Sequence, residues 1–437
     1  MRAKVLEILS GMKSFLTESL TQREKYLTRC TAFTRNRILT FERLCLFLLV
    51  NAKRSLSIEL DDFYLQEGIL ACSKSAFSKA RYRVKRDLFR DWSKHMVSLI
   101  YDERHKQKLR TWKHFYLKGV DGTTLYLFDD KEVAAEFGGS SNQFGLVVLG
   151  RAGFQVDLLN GYCCAAWMGP HKVGEPHFAM SFLEQSSEKD LLIYDRNFIS
   201  FELIYKHLQK GVPFLMRAAL TFNKVVERFV SSGKKQAIEY FSVTDETLRS
   251  MKKQGLAVNK TTMLKVRLIR VELDSGEIEV LATNLLDRQK YPHKCFKELY
   301  NKRWGCETQI EKFKNKLQIE IFTGHKVEAI YQDFFATLIL LNLHNLIVRS
   351  CEKQLEEKIE TKENSVAINQ NVSIGLLKKR LVSLFADHHA NMIFQELKVL
   401  FLRHLEMVRP GRKYVRDPAR KRQRGKYQTY KNYRRAF

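Results

Sequence analysis

Uninterrupted apolar stretches are what this chain most plainly lacks, and no membrane-spanning helix is expected, since a span needs about 18 or more apolar residues in a row. The longest apolar segment, residues 334–348, carries Asn342, His344 and Asn345 and reads as a buried helix. Residues 1–9 hold Arg2, Lys4 and Glu7 without an apolar core or a small-residue cleavage site, so no secretory signal is expected. The 8 cysteines form no C-x-x-C pair and no matching histidine spacing, which argues against a zinc site and for a reducing compartment. Only 6 prolines interrupt the 437 residues, and 45% are hydrophobic, so real cores are available and disorder is not the rule. Acidic charge is also short: 48 Asp and Glu face 75 Lys and Arg, a net +27. A field of that sign draws polyanions. Nucleic acid is the expected partner, with no membrane, in a cytoplasmic, nucleoid-associated location. The length predicts two or three structural units.

Residues 1–110 are helical throughout, with apolar residues three or four apart, as at Leu44, Phe47 and Leu48 and at Leu88, Trp92 and Met96. Within them, residues 61–64 and 70–84 suit two helices around a short turn at Ser73. Lys74, Lys79, Arg81 and Arg83 then line the second, as in a helix-turn-helix reader of DNA. A solvated basic face explains the same pattern. Beyond Trp112 the period becomes strand-like: residues 115–121, 124–128, 154–159 and 162–168 give an antiparallel meander, with Asn160-Gly161 a hairpin turn. Helices near 175–185 and 198–210 alternate with strands 191–194 and 213–216, the order of an RNase H-like mixed sheet in an α/β fold.

The expected organisation is a helical DNA-binding domain at 1–110 and a first part of the catalytic core at 111–218. A β-rich insertion follows at 219–278, then the second core part with C-terminal helices at 279–407 and a basic tail at 408–437. The polar stretch 352–371 reads as a mobile loop. Residues 409–437 hold 12 Lys and Arg against Asp417 alone, with four interleaved tyrosines, and would order only on an anion.

Three carboxylates carry the chemistry. Asp121 ends an apolar strand in Gly119-Val120-Asp121-Gly122-Thr123, where a turn aspartate is the competing account. Asp195 follows the buried strand Leu191-Leu192-Ile193-Tyr194, where helix N-capping competes. On a long helix expected over 294–317, Tyr300, Arg303, Glu307 and Lys314 fall on one face at about 100° per residue. An exposed Arg303–Glu307 pair is the plain reading of that face. Carboxylates from two strand ends and a helix are also suited to hold two hard divalent cations, which activate a water or 3′ hydroxyl for attack on a phosphodiester.

The spacing Tyr300, Arg303, Glu307, Lys314 resembles the signature of the insertion-sequence-four family of DDE transposases: Tyr, two residues, Arg, three, Glu, six, Lys. Trp304 is frequent beside that arginine. Asp-Gly-Thr at 121–123 and Asp-Arg-Asn-Phe at 195–198 are similar to its two aspartate motifs, with Asn197 where many relatives have Gly; Asn tolerates left-handed backbone, so the turn is expected to survive. The tail segments 408–412 and 432–436 resemble the family's basic tail.

The resemblance implies Asp121, Asp195 and Glu307 as the catalytic, metal-binding triad with two Mg²⁺ ions, replaceable by Mn²⁺. Tyr300, Arg303, Trp304 and Lys314 would contact double-stranded DNA, as would Lys74, Lys79, Arg81, Arg83, Arg412 and Lys413. It further implies cleavage at the terminal inverted repeats through hairpin ends, strand transfer, and a homodimer pairing two ends. A catalytically silent DNA-binding regulator and a structure-selective nuclease are the alternatives.

Overall fold

A computed structural model describes residues 2–35, 37–50, 53–106, 109–143, 145–360, 365–386 and 389–408. The basic tail, with Arg412 and Lys413, lies outside the described residues. The chain forms two compact units, one of Leu109–Thr124 and Arg151–Ile310, the other of Met1–Lys108, Leu125–Gly150 and Glu311–Phe437.

A nine-stranded mixed sheet is built from β1 (Tyr116–Tyr126), β2 (Gly139–Asn142), β3 (Gly145–Asp157), β4 (Cys163–Pro170), β5 (Asp190–Tyr194), β6 (Phe214–Ala218), β7 (Gln236–Ser242), β8 (Met263–Glu272) and β9 (Ile278–Thr283). Through the first unit the order is β4-β3-β1-β5-β6-β9-β8-β7. β5 runs parallel to β1 and β6, and β9, β8 and β7 continue antiparallel. β5 is buried along its whole length, as a central parallel strand must be.

Its side chains alternate between two cores. Leu192 and Tyr194 pack with Phe178, Phe182, Leu203 and Ile204, while Leu191 and Ile193 pack with Leu117, Leu215, Phe296 and Leu299. The helices on the first face have clear local causes. Pro176 sits in the first turn of Glu175–Glu184. Ser200 caps Phe201–Lys210, and Gly211 ends it in left-handed backbone at φ 71°.

Several sequence expectations are corrected here. Residues 115–121 and 124–128 are not separate strands: β1 runs unbroken through Asp121 and Gly122. Residues 219–278, expected as a β-rich insertion, hold β7 and β8, which extend the main sheet, and also the helices Lys224–Ser231 and Asp245–Lys253. The long helix expected over 294–317 is three pieces: Cys295–Asn301, a turn, Trp304–Glu311, and a π-helical segment Lys312–Lys316.

In the second unit the helix Val327–Ser350 is buried on nearly all sides, packed by Phe41–Val50, Asp87–Ile100 and Ala390–Arg403, so its apolar residues form no single stripe. Among the described residues no single helix is long and apolar enough to cross a membrane. The stretch 352–371, expected as a mobile loop, contains the helix Glu352–Glu360, rich in good helix formers, and the strand β10 (Val366–Ile368) paired with β11 (Leu405–Met407).

The second helix of the expected helix-turn-helix begins at Lys74 rather than residue 70, because the Ser73 hydroxyl accepts from the Ala76 N–H and caps it there. Leu56–Leu65 is its partner, and residues 66–73 separate them, longer than the three or four residues of that motif's turn.

Candidate active site

The first unit brings Asp121, Asp195, Tyr300, Arg303 and Glu307 into one constellation. Close approach of the helix Trp304–Glu311 to β1 depends on Gly119: a Cβ there would lie 3.2 Å from the Cβ of Cys306, the residue before Glu307, and 2.8 Å from the Leu158 side chain. The Cys306 thiol points at the Gly119 carbonyl, 3.7 Å away. Glu307 is thereby set beside the strand that carries Asp121.

Arg303 is the hub. Its Nη2 donates to Glu307 Oε1 at 2.9 Å, its Nη1 stands 3.9 Å from Asp121 Oδ2, and its guanidinium lies against the rings of Tyr300 and Trp304 at 5.9 and 5.3 Å. The side chain is 8% exposed, and its Nε has no partner. Burial works against its charge, but Tyr300, Asp195 and Glu307 outweigh that and hold its pKa above the ordinary value. The Tyr300 hydroxyl donates to Asp195 Oδ1 at 3.4 Å, and burial, then Asp195, pushes the phenol upward.

Asp195 does not cap a helix, since Ser200 does; the turn after β5 is closed instead by Phe198 N–H donating to the Asp195 carbonyl at 3.1 Å. Nor does that turn use left-handed backbone at Asn197. The non-glycine residues with positive φ, among those described, are Phe33, Lys113, His114 and Gln318.

Burial is the main force on Asp121, which is raised to about 6; the Gly122 N–H at 2.8 Å and Arg303 oppose it, while Glu307 and Glu175 add to it. Glu175 is a fourth carboxylate that the sequence reading missed. A Cβ on Gly122 would lie 3.1 Å from its Oε1, and Arg151 Nη1 stands 3.9 Å from the same oxygen. Burial pushes the Glu175 carboxyl up, Arg151 opposes this, and Asp195 adds to it. In sequence it is only the first residue of a helix, and nothing local marks its contact with β1.

Trp304 is 53% exposed beside Arg303. Lys314 belongs to the second unit, in the π-helical segment, with its ammonium 3.3 Å from Glu320. The wider π winding that begins at Lys312 departs from 100° per residue before Lys314 is reached. Lys74, Lys79 and Arg83 are exposed. Arg81 is corrected: it is 2% exposed and bonded to Asp333, Gln332, Thr323 and the Ala329 carbonyl, so its guanidinium is not available to DNA.

A large mixed sheet with many helices, presenting carboxylates from two adjacent parallel strands and a helix, is the architecture of a transposase catalytic core. Residues 120–343, more than half of the chain, match the family described as "Transposase DDE domain", and the chain belongs to that family. It is a DNA transposase by family, and such domains generally use divalent metal ions. No curated protein sequence matches the chain. The chain is also similar to the piggyBac transposase in a synaptic complex with hairpin DNA, at 11% identity and a TM-score of 0.39 over 97% of this chain and 88% of that one, a likeness too low to fix any detail.

Proposed function

We propose that this protein cuts DNA at the terminal inverted repeats of its insertion sequence and joins the freed ends to target DNA, with Asp121, Asp195 and Glu307 as the catalytic triad. The observation that carries the reading is the joining of all three carboxylates by one buried Arg303–Tyr300 pair, inside the residues that match the family. The strand order β4-β3-β1-β5-β6, with β5 and β6 parallel to β1, supports an RNase H-like core.

The donor set fits hard divalent cations: it is carboxylate oxygen, and the Asp121 carboxyl is raised to about 6 chiefly by burial, with Glu307 and Glu175 adding to it against the Gly122 N–H and Arg303. Among the described residues no group of three or more His, Cys, Asp or Glu stands close enough to hold an ion, and Arg303 is the standing counter-charge. Asp121, Asp195 and Glu307 would be the residues to hold such ions, and Glu307 Oε1 accepts from Arg303 in this structure. Two Mg²⁺ or Mn²⁺ ions held by the triad would activate the attacking oxygen and stabilise the leaving one.

The chain's own residues do the rest. Tyr300 fixes the Asp195 carboxylate, and the Arg303 guanidinium is the cation beside the triad that would pair with a DNA phosphate. Trp304 offers an exposed ring beside it, with Lys314 a further phosphate contact. We place the protein at the bacterial nucleoid in the cytoplasm, acting as a homodimer on paired ends through a hairpin intermediate.

The test is Mg²⁺-dependent cleavage of a labelled duplex carrying the element's own end. Wild type is expected to give hairpin-ended product and Glu307→Gln none, with end binding kept. Specific binding without cleavage by either protein would sink the reading and favour a silent regulator; cleavage without joining would favour a nuclease.

Glu175 has a separate signature. Removing one negative charge from the site by Glu175→Gln should raise the Mg²⁺ concentration for half-maximal cleavage about tenfold, a loss of about 1.4 kcal/mol, with little change in rate at saturating metal. An unchanged metal titration would show that Glu175 only packs against β1.

A further inference from the structure

In the second unit, five cations converge on one groove of about 680 Å³. Lys79 and Arg83 come from the helix Lys74–Arg81 and its end, and Arg29, Arg35 and Arg37 come from the segment that faces it. All five are exposed, none has a carboxylate within ion-pair distance among the described residues, and no acidic side chain lines the groove. A solvated basic face is normally laced with opposite charge, as at Arg90 with Asp87 and Arg380 with Glu396. This groove is not.

The facing segment is held in place. The Arg23 guanidinium donates to the carbonyls of Cys30 and Ala32 at 3.0 and 2.5 Å, Phe33 is fixed in left-handed backbone at φ 59°, and its ring packs edge-on against Phe41 at 5.6 Å. Left-handed backbone at a bulky aromatic is unfavourable and persists only where the surroundings impose it. The backbone at residues 30–33, between Arg29 and Arg35, is thus fixed before any ligand arrives, which lowers the entropic cost of binding one.

We infer that this groove is a preformed cradle for the phosphate backbone of duplex DNA, contacting phosphates without reading bases, with Ser75 as an additional donor at its wall. The inference rests on the transposase reading for its ligand. It differs from a recognition helix in that only Lys79 of its five cations lies within the helix Lys74–Arg81, and Arg81 takes no part.

Counterion release supplies the test, because each phosphate neutralised on duplex DNA adds about 0.9 to the slope of log affinity against log salt, and about 0.7 on a single strand. Binding of the full chain to the element's end, to an unrelated duplex and to a single strand is measured across a KCl series. The triple variant Arg29→Gln, Arg35→Gln, Arg37→Gln is expected to lower the slope by about 2.7 on both duplexes alike, and Lys79→Gln, Arg83→Gln by about 1.8. These side chains make no ion pair, so melting temperatures should stay at the wild-type value. Unchanged slopes overturn the cradle; a loss confined to the end sequence makes it a base reader, and a loss confined to the single strand makes it a single-strand site, each against the inference. End cleavage by wild type is followed in parallel: its absence defeats the transposase reading whatever the slopes are, while equal slopes defeat the cradle whether or not cleavage occurs.

Discussion

Asp121→Asn is expected to abolish metal-dependent cleavage and, at the same time, to make the metal-free protein harder to unfold at pH 7.5. The loss of activity should be at least ~10³-fold, because outer-shell partners of a metal ligand already cost 10–100-fold and Asp121 would be a ligand itself. The gain in stability follows from the carboxyl being raised from 3.8 to about 6, chiefly by burial and then by Glu307 and Glu175 against the opposing Gly122 N–H and Arg303. A carboxyl held above its unfolded value binds a proton more readily in the folded state. The folded state is therefore penalised above pH 6, and the penalty fades as pH falls from 6 toward 4.

Two pKa units set an upper figure of ~3 kcal/mol, reduced somewhat because the Asn side chain gives up the 3.9 Å contact to Arg303. Thermal melts in chelator at pH 7.5 and pH 4 check this: the variant should melt several degrees above wild type at the higher pH and level with it at the lower. A variant that melts lower at pH 7.5 would mean that Asp121 is held by its neighbours rather than strained by them. Function at this site would then not oppose stability in the way a charge-deficient metal centre requires.

How far the sequence carried the site depends on which interactions are local. Leu191 to Tyr194 is a run of apolar residues too short for a helix, and its burial on both faces follows from that run. Asp121 and Asp195 were legible as strand-associated carboxylates, yet each had a bland rival. The rivals are removed only by tertiary facts: β1 continues past Asp121, so it occupies no turn, and Ser200 takes the cap that Asp195 might have filled.

The Tyr300, Arg303 and Glu307 spacing was readable because offsets of three and four residues keep their phase over a short distance. At Lys314 a constant 100° step no longer applies, because the winding changes to π from Lys312. Glu175 and Arg151 were out of reach, since their roles arise where separate chain segments meet at Gly122. The charge pattern was also ambiguous within one helix. Lys79 and Arg83 are exposed while Arg81 between them is buried, and a row of cations does not say which of them faces inward.

Arg81 gives the second large effect. Arg81→Met should destabilise the unit that contains it by ~3–5 kcal/mol, the usual result of removing one partner from a buried ion pair. The Arg81 Nη2 bonds Asp333 Oδ1 at 2.7 Å and the Ala329 carbonyl at 2.9 Å, its Nε bonds Gln332 at 2.8 Å, and both charged side chains are 2% exposed. Without the guanidinium, Asp333 keeps only its bonds from Thr323, too few to offset a desolvated carboxylate. The melting temperature of that unit should fall by about 10 °C. Adding Asp333→Leu should recover part of the loss, because the charge left unpaired is then gone, so the double variant costs less than the sum of the singles. DNA affinity measured well below the melting transition should be unchanged, in contrast to the loss expected at Lys79 and Arg83. An Arg81→Met protein that melts normally and binds DNA weakly would reverse the assignment, and would require the helix Lys74–Arg81 to turn its inner face outward when it meets DNA.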